Sequence, residues 1–540
     1  MTTIRNRSVL SLVVSAMLLL SISFIGVAAP KPTTMIGAFD IGPMGHPEGT
    51  PYYCTAGHTW LMKIWSPLVS WNDDFSEIVP QLATNWTANA EATEWTFELR
   101  QGVKWHDGQP FTAEDIKFTW ELAFHPMSGS GPLFTQIASY LKGYEEYAKG
   151  EASGLSGIEV LDDYTIRFEM VSPTPRFPST LSGCYILPKH VFKDVKPEDL
   201  KTTDWWGTKA VGTGPYKVSK HVHGQYMEAV ANPDYWRGAP KIDRLINRYF
   251  ADQSAAELAL ERGEIDFTFI ETDSAVRLSK DERFTVFSGP SGVTNYLIFN
   301  HRNPIFADKR VRQAFLYAID RETIVKQVFK GGATVVPCLA PYPALWPSEE
   351  DAIDYSYNPE KAKELLAEAN WDPNYKFEAW TYYDSQVHKD VLQAIQAYLA
   401  NVGVQMIPRF MDVPAYNSQF YTGKGWDVSY RGLACNTAAY PFTHYLSYGY
   451  PAAEGASLSG HKNDRFDGLM EAADVELDHD KYLELLREVG LYQNEQALDA
   501  YLWTAARYSA ANTRVKNFTW YPAPGHFAYE DNVHLWEIDE

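Results

Sequence analysis

Alternating apolar and polar residues mark strands in the first half of the chain. Residues 95–100 and residues 165–170 alternate with the period of a strand that has one buried face. The tight-turn dipeptide Asp107-Gly108 follows the first of these runs. Thr112 then stands where a helix N-cap is expected, ahead of acidic residues that favour the first helical turn. This segment therefore predicts a strand, a turn and a capped helix in succession.

In the second half, strand patterns alternate with helix patterns. Alternation across residues 294–300 predicts a strand, and the spacing of Val311, Phe315 and Ala318 predicts the helix that follows it. A second helical stripe covers residues 387–399 and precedes another strand pattern. This succession predicts an α/β fold.

The first residues have the pattern of an export signal. Arg5 and Arg7 precede an apolar run over residues 9–29, which ends in small residues suited to cleavage before Ala29. We therefore expect residues 1–28 to be a signal peptide and the mature protein to be periplasmic or extracellular. The alternative is a retained membrane anchor, because about 20 apolar residues can span a bilayer. No Cys lies near the cleavage site, so a lipid anchor is not expected.

The charge of the chain excludes one class of partner. It has 47 Lys and Arg against 68 Asp and Glu, a formal net charge of −21. Such an acidic protein repels phosphate backbones, so we expect no nucleic-acid partner. A chain of 540 residues exceeds one hydrophobic core, and two or three domains are expected.

Several motifs resemble those of one family of transport proteins. The longest is residues 78–121. The others, in chain order, are Val-Gly-Thr-Gly-Pro-Tyr (211–216), Asn-Pro-Asp-Tyr-Trp (232–236), Ala-Pro-Lys-Ile-Asp (239–243), Gly-Glu-Ile-Asp (263–266) and the segment 311–321. Together they resemble the family 5 extracytoplasmic solute-binding proteins of ABC importers, a class that carries oligopeptides, dipeptides, nickel chelates and some oligosaccharides. The similarity spans nearly the whole chain after the leader.

The resemblance implies an α/β, two-lobed periplasmic-binding-protein-like fold of the class II type, with an extra small domain and a ligand cleft between the lobes. Residues 66–204 would form the small domain and residues 290–510 lobe II. Lobe I would be discontinuous, built from residues 29–65, 205–289 and 511–540. The resemblance also implies a monomer that closes around a small ligand and delivers it to the ABC permease subunits in the membrane.

The four cysteines permit disulfides in an exported protein. Cys338 and Cys435 both fall in the implied lobe II, so a bridge between them is the first expectation, although sequence leaves the pairing of all four open. The other two are Cys54 and Cys184. The chain has no CxxC motif, which leaves zinc or thioredoxin chemistry without support.

The ligand prediction depends on residues 427–436. In peptide carriers of this family, a Gly-Trp-x-x-Asp pattern supplies the Asp that pairs with the peptide ammonium group. Here Gly432 matches the Gly, Leu433 replaces the Trp and Asn436 replaces the Asp. Because Asn brings no counter-charge, we expect a neutral, hydroxyl-rich oligosaccharide. In an alternative register Asp427 supplies the charge, and the ligand is an oligopeptide or dipeptide.

Aromatic residues are numerous, with 17 Trp and 33 Tyr whose ring faces and polar tips suit a sugar. Those in irregular segments are the candidates, because loops carry function disproportionately. Trp105, Trp120 and Trp236 lie inside fold motifs and are predicted to be structural. Arg431 could meet a carboxylate or a sugar hydroxyl, or form a salt bridge. The predicted ligand-binding residues are Tyr52, Tyr53, Trp205, Trp206, Trp346, Arg431, Asn436 and Tyr440.

Other chemistries have little support. His221 and His223 would share one strand face as a possible metal pair, but a solvated edge strand is the better interpretation without a third ligand, and no metal or cofactor is expected. The HExxH, GxSxG and Walker A patterns are absent. A secreted glycoside hydrolase is a remote alternative, since no pair of acids stands apart from ordinary surface acids. We expect a binding protein and not an enzyme.

Overall fold

The computed structural model describes residues 32–39, 63–72, 77–129, 137–203, 205, 208–340, 343–434, 445–446, 457–518 and 532–539. The strands in this part of the chain are β1 (Thr34–Ala38), β2 (Val69–Trp71), β3 (Ile78–Pro80), β4 (Ala83–Ala88), β5 (Glu94–Leu99), β6 (Ile158–Asp162), β7 (Thr165–Glu169), β8 (Tyr216–Val222), β9 (Tyr226–Ala231), β10 (Arg244–Arg248), β11 (Phe267–Ile270), β12 (Phe284–Phe299), β13 (Ala333–Val335), β14 (Lys376–Thr381), β15 (Gln405–Phe410), β16 (Val428–Ala434), β17 (Ala500–Asn512), β18 (Val515–Lys516) and β19 (Glu537–Ile538).

The α-helices in the same residues are α1 (Ala113–Ala123), α2 (Tyr144–Ala148), α3 (Phe177–Thr180), α4 (Lys189–Phe192), α5 (Gln253–Glu261), α6 (Thr272–Leu278), α7 (Pro304–Ala307), α8 (Lys309–Ala318), α9 (Arg321–Gln327), α10 (Pro359–Glu368), α11 (Gln386–Ala400), α12 (Val413–Phe420), α13 (Asp464–Val475) and α14 (His479–Gln496). Strands and helices mix throughout, which confirms the predicted α/β class.

One sheet of 11 strands organises most of the described chain. Its order is β15-β14-β16-β12-β17-β11-β1-β10-β9-β8, and β13 pairs with β17. Strands β14, β15 and β16 are parallel to one another, and β1 is parallel to β10 and β11. Ligands of open α/β sheets bind outside the carboxyl ends of parallel strands. The end of β16 is therefore one place where a ligand is expected.

Two long antiparallel strands, β12 and β17, join the two halves of this sheet. One end of their ladder lies beside β11, and the other lies beside β16. The pairing shifts register between Pro290 and Thr294 and again between Asn295 and Tyr296. The chain thus crosses between the two halves of the sheet within the strands β12 and β17, and not through loops.

A separate four-stranded antiparallel sheet, β4-β5-β7-β6, forms the centre of a smaller unit. Aromatic rings pack on this sheet. The Phe97 and Phe168 rings are edge-to-face with centroids 5.7 Å apart, and the Trp120 ring of α1 lies 5.5 Å from that of Phe168. The predicted N-cap of this helix is confirmed, because Thr112 and Asp115 form a capping box. Strands β5 and β7 coincide with the alternating segments of the sequence.

The Gly-Thr-Gly-Pro motif is a loop held by a buried histidine. His106 Nδ1 accepts a hydrogen bond from the Gly212 amide at 3.1 Å, so Nε2 carries the proton and donates to the Gly214 carbonyl at 3.0 Å. Burial lowers the pKa of His106 to about 4. A Cβ on Gly212 would overlap the carbonyl oxygen of Ile64, which explains the glycine at this position.

Two apolar cores cover opposite faces of the half-sheet that contains β16. Phe299 and Leu502 contribute to one, and Tyr296, Leu433 and Tyr501 contribute to the other. Neighbouring residues of a strand face opposite sides, so this division follows from the register of β12 and β17. The predicted structural tryptophans also pack inward: Trp105 and Trp120 are buried, and Trp236 packs against the core of the first half.

The cysteine expectation was wrong. Cys338 is a buried free thiol, as is Cys184. Cys338 lies in the core against α14, where a Cβ on Gly490 would come within 3.2 Å of its sulfur atom. Burial raises the pKa of the Cys338 thiol to about 12. Cys54 and Cys435 lie outside the described residues.

In the described part of the chain, no helix has both the length and the apolar character needed to cross a bilayer. The leader, residues 1–28, lies outside these residues, so cleavage or retention stays a prediction. The boundaries assigned to the two lobes and the small domain also stay predictions.

Candidate ligand-binding site

Arg431 is a buried cation near the carboxyl end of β16. Only 5 % of its surface is exposed. Its register partner on β12 is Tyr296, and the next pair on the same face of the sheet, two residues closer to the end of β16, is Leu433 with Thr294. At about 3.3 Å per residue, Arg431 lies roughly 7 Å inside the edge marked by Leu433. The guanidinium therefore lies just inside the edge where a ligand is expected.

The guanidinium of Arg431 has few hydrogen-bond partners. Nη2 donates to the Tyr421 hydroxyl at 3.2 Å, and the group lies over the rings of Phe420 and Tyr421, with centroids at 4.9 Å and 5.5 Å. Nε and Nη1 are buried without a partner among the residues that the structure describes. An Arg side chain stays protonated in proteins, so this is a buried charge with unused donors.

Unused hydroxyls lie beside this cation. The hydroxyl of Tyr296 and that of Thr294 are buried, and neither has a partner within the described residues. Thr504, which faces Thr294 across the β12–β17 ladder, also has an unpaired hydroxyl. Buried polar groups are normally hydrogen-bonded, and leaving one unpaired costs about 1–3 kcal/mol. The unpaired hydroxyls on β12 and β17 and the unpaired guanidinium nitrogens on β16 make this part of the sheet the candidate ligand-binding site.

Among the described residues, Asp499 is a buried carboxyl group on which Arg431 acts electrostatically. Asp499 is fully buried and accepts hydrogen bonds from the Phe299 amide at 3.0 Å and from the Tyr445 hydroxyl. Desolvation raises the pKa of Asp499 well above its usual range, although Arg312 and Arg431 oppose this rise. Asp499 forms no ion pair with either arginine.

Arg312 is satisfied without an anion. It donates to the carbonyl oxygens of Ala497 and Gln496 at 2.8 Å and 3.0 Å, and to those of Phe306 and Ala307 at 2.8 Å each. Arg431 has no such set of carbonyls. In the described part of the chain, Arg431 is the buried guanidinium that lacks both a carboxylate and a carbonyl cradle.

The structure describes two further predicted ligand-binding residues, Trp346 and Trp205, and their contacts are with residues other than Arg431. Trp346 donates its indole N–H to the Ala340 carbonyl at 2.8 Å and is half-buried against the Tyr296 core. Trp205 lies 6.3 Å from the ring of Phe192 and packs against the core of the other half. The structure thus separates Trp205 from the Arg431 region.

The remaining predicted residues, Tyr52, Tyr53, Trp206, Asn436 and Tyr440, lie outside the described residues. The alternative register placed the ligand charge on Asp427. Asp427 lies just before β16, at the end opposite Ala434, and accepts a hydrogen bond from Asn303 at 2.7 Å. It therefore serves a structural role away from the carboxyl edge of the sheet.

Sequence reasoning missed Thr294, Tyr296 and Tyr421. Thr294 and Tyr296 share one face of the alternating segment 294–300, and polar groups on that face are the sequence signal that identifies them. Tyr421 follows α12 and gave no such signal. Its position beside Arg431 depends on the packing of α12 against β16.

The predicted edge-strand position of the histidine pair is confirmed. His221 and His223 lie at the end of β8, the edge strand of the sheet, with ring centroids 6.2 Å apart. Within the described ranges, no group of three His, Cys, Asp or Glu side chains is arranged to hold a metal ion.

Residues 77–453 match the family model of the bacterial extracellular solute-binding proteins, family 5 Middle. A Brucella melitensis protein, whose name describes a candidate ABC transporter peptide-binding protein, is 35 % identical over 515 residues, which cover 94 % of each chain. The dipeptide-binding protein of Escherichia coli is 26 % identical over 550 residues, covering 96 % of this chain and 98 % of that protein. This chain belongs to the family 5 solute-binding proteins, which are extracytoplasmic and work with the membrane permeases of ABC importers.

Solved structures share the fold. NikZ from Campylobacter jejuni, in complex with Ni(L-His), superposes with a TM-score of 0.78 at 23 % identity, covering 94 % of this chain and all of that one. AppA from Bacillus subtilis, in complex with a nonapeptide, gives the same values. The predicted two-lobed periplasmic-binding-protein fold is confirmed. The relatives are substrate-binding transport proteins, in agreement with the expectation that this chain is not an enzyme.

Proposed function

We propose that this protein captures short peptides outside the cytoplasm and delivers them to the permease of an ABC importer. The observation that carries the proposal is the buried guanidinium of Arg431, which has two unused N–H groups and no ion-pair partner among the described residues. A peptide brings a terminal carboxylate, which accepts charge-assisted hydrogen bonds from guanidinium N–H groups. A neutral oligosaccharide brings no anion.

The relatives support the same choice. The Brucella melitensis protein and the Escherichia coli protein are both named for peptide or dipeptide binding, and the AppA structure contains a nonapeptide. The oligosaccharide expectation depended on Asn436 and on aromatic platforms. Asn436 lies outside the described residues, while Trp346 uses its N–H within its own loop and Trp205 packs in another core. The peptide alternative therefore replaces the oligosaccharide as the preferred cargo.

Calorimetric titration of the purified protein tests this choice. The ligands are alanine peptides of three to five residues with a free carboxyl end, the same peptides with an amidated end, and neutral cello- and malto-oligosaccharides. We expect saturable binding of the free-acid peptides and affinity about 100-fold lower for the amidated ones, since a buried charge would lose its partner. Binding of a sugar without binding of any peptide would overturn the proposal.

Arg431→Met should reduce affinity for the free-acid peptides by a similar factor while keeping the fold, because it removes a charge that is unpaired without ligand. Arg310→Met is the matched control. Arg310 lies on α8, where it is exposed and paired with Asp308 on the surface, so peptide affinity should not change. Equal effects of the two substitutions would show that Arg431 does not meet the ligand.

A further inference from the structure

Arg176 belongs to the small unit built on the β4-β5-β7-β6 sheet, and its backbone is fixed there. Its carbonyl oxygen accepts hydrogen bonds from the Ser179 amide at 3.0 Å and the Ser179 hydroxyl at 2.7 Å. The next residue, Phe177, is fully buried, with its ring 6.2 Å from Phe97 and 6.0 Å from Trp120. The base of the Arg176 side chain therefore moves with the small unit.

The guanidinium of Arg176 reaches a different part of the molecule. Nη1 donates to the Glu476 carbonyl at 2.7 Å, and Cζ lies 3.3 Å from the centroid of the Tyr482 ring. Both partners are about 300 residues away: Glu476 follows the last residue of α13, and Tyr482 lies in the first turn of α14. Nε of Arg176 is buried and forms no hydrogen bond within the described residues. The side chain thus bridges two units that belong to separate cores.

The receiving end of this contact is also rigid and suits a cation. Glu476 is the C-cap of α13, where the helix dipole is negative. Tyr482 is 4 % exposed and belongs to the core that contains Tyr296 and Leu433. A guanidinium stacked on a buried ring and bonded to a helix-end carbonyl combines two favourable interactions. The contact exists only when the small unit lies against α13 and α14.

We propose that Arg176 is a positioning residue that holds the small unit against the α13–α14 helix pair and so stabilises the conformation in which the two touch, called the closed form below. It does so from outside the Arg431 region, whatever the cargo. A contact made in one conformational state and absent from another shifts the population toward the first. Closed protein should then release its ligand slowly because of Arg176, even though Arg176 does not bind the ligand.

Single-molecule energy transfer on the ligand-free protein tests the proposal. One dye replaces exposed Glu151 in the small unit and the other replaces exposed Glu484 on α14, both introduced through unnatural amino acids. Arg176→Ala should reduce the closed-to-open ratio about tenfold, and Tyr482→Leu should act in the same direction. Arg167→Ala is the matched control, because Arg167 lies in the same sheet and pairs with Glu159 within it. This control should leave the distance distribution unchanged.

Each outcome decides the proposal. The same distance distribution for Arg176→Ala and the unaltered protein would overturn it. Circular dichroism spectra and thermal melts of every variant confirm that the fold is kept, and Arg176→Lys supplies a second test in which the charge remains but the planar stacking is lost. Partial opening by Arg176→Lys supports the proposal, whereas full opening by Arg167→Ala contradicts it. No ligand is used, so the result is independent of whether the cargo is a peptide.

Discussion

Arg431 and Tyr296 are register partners on neighbouring antiparallel strands, β16 and β12, and both side chains face the same core. The phenol hydroxyl and two of the guanidinium nitrogens are buried without partners in the described residues. Unpaired buried groups of this kind lower the stability of the ligand-free protein. They add to ligand affinity when the ligand supplies the missing hydrogen-bond partners. Stability and affinity should therefore respond in opposite ways to substitutions here.

Tyr296→Phe separates these two effects. Removing a buried hydroxyl that has no partner should leave the free energy of unfolding unchanged or raise it by about 1 kcal/mol. The affinity for free-acid peptides should fall about fivefold to tenfold, because one hydrogen bond to the carboxylate is lost. Urea denaturation and calorimetric titration measure the two quantities.

Tyr416→Phe is the control for that pair of measurements. Tyr416 is buried on the same side of the sheet, but its hydroxyl is 2.7 Å from the Ser429 hydroxyl. Its removal should lower the free energy of unfolding by about 1–2 kcal/mol. An equal loss of stability in Tyr296→Phe and Tyr416→Phe would contradict this prediction. It would mean that the Tyr296 hydroxyl is already hydrogen-bonded in the ligand-free protein.

Gly212→Ala should destabilise the protein strongly. The new Cβ would overlap the Ile64 carbonyl, and the loop that His106 holds would have to shift. We expect a loss of about 3 kcal/mol or more in the free energy of unfolding, the scale of severe overpacking. Gly183→Ala is the control, since a Cβ there meets nothing within 4 Å and the change should be small. Equal losses for the two variants would contradict the close approach.

Acid should weaken the fold through His106. Its pKa is about 4 in the folded protein against an ordinary value of 6.5, so the unfolded chain binds more protons between these values. The contribution to stability is complete above pH 6.5 and decreases as the pH falls toward 4. Urea denaturation at a series of pH values should show this decrease, and His106→Gln should make it smaller.

The two described cysteines should be inert in the folded protein. Cys184 and Cys338 are buried, and burial raises the pKa of both thiols above the usual value. Thiolate is the reactive form, so neither should be alkylated by iodoacetamide at pH 8 until the protein is unfolded in urea. Peptide mapping by mass spectrometry distinguishes these two sites from the other cysteines. Rapid labelling of Cys338 in the native protein would contradict its place in the core.

Local features could be predicted from the sequence, because they depend on neighbouring residues. The capping box at Thr112 and the strand β5 lie where the pattern predicted them, and α11 spans Gln386–Ala400 against a predicted stripe of 387–399. The family motifs indicated the correct fold. Each of these signals is carried by a short stretch of chain.

The candidate site could not be predicted in the same way. Arg431 was identified, but its relation to Tyr296 depends on a strand register that joins residues 135 positions apart. The expected Cys338–Cys435 bridge failed for a similar reason, since lobe membership does not determine which side chains enter the core beside α14. Trp205 stands in an irregular segment and its ring packs near Phe192, so its contact with ligand stays a prediction.

The strands β12 and β17 stay paired along most of their length while they pass from one half of the molecule to the other. Such a connection resists sliding and swinging, because either would break several backbone hydrogen bonds at once. Bending is easier where the ladder is already irregular, between Pro290 and Thr294. The two halves are therefore joined by a semi-rigid connection that bends most easily at one place. Ligand binding then has to bend an ordered pair of strands, and it does not have to order a flexible linker.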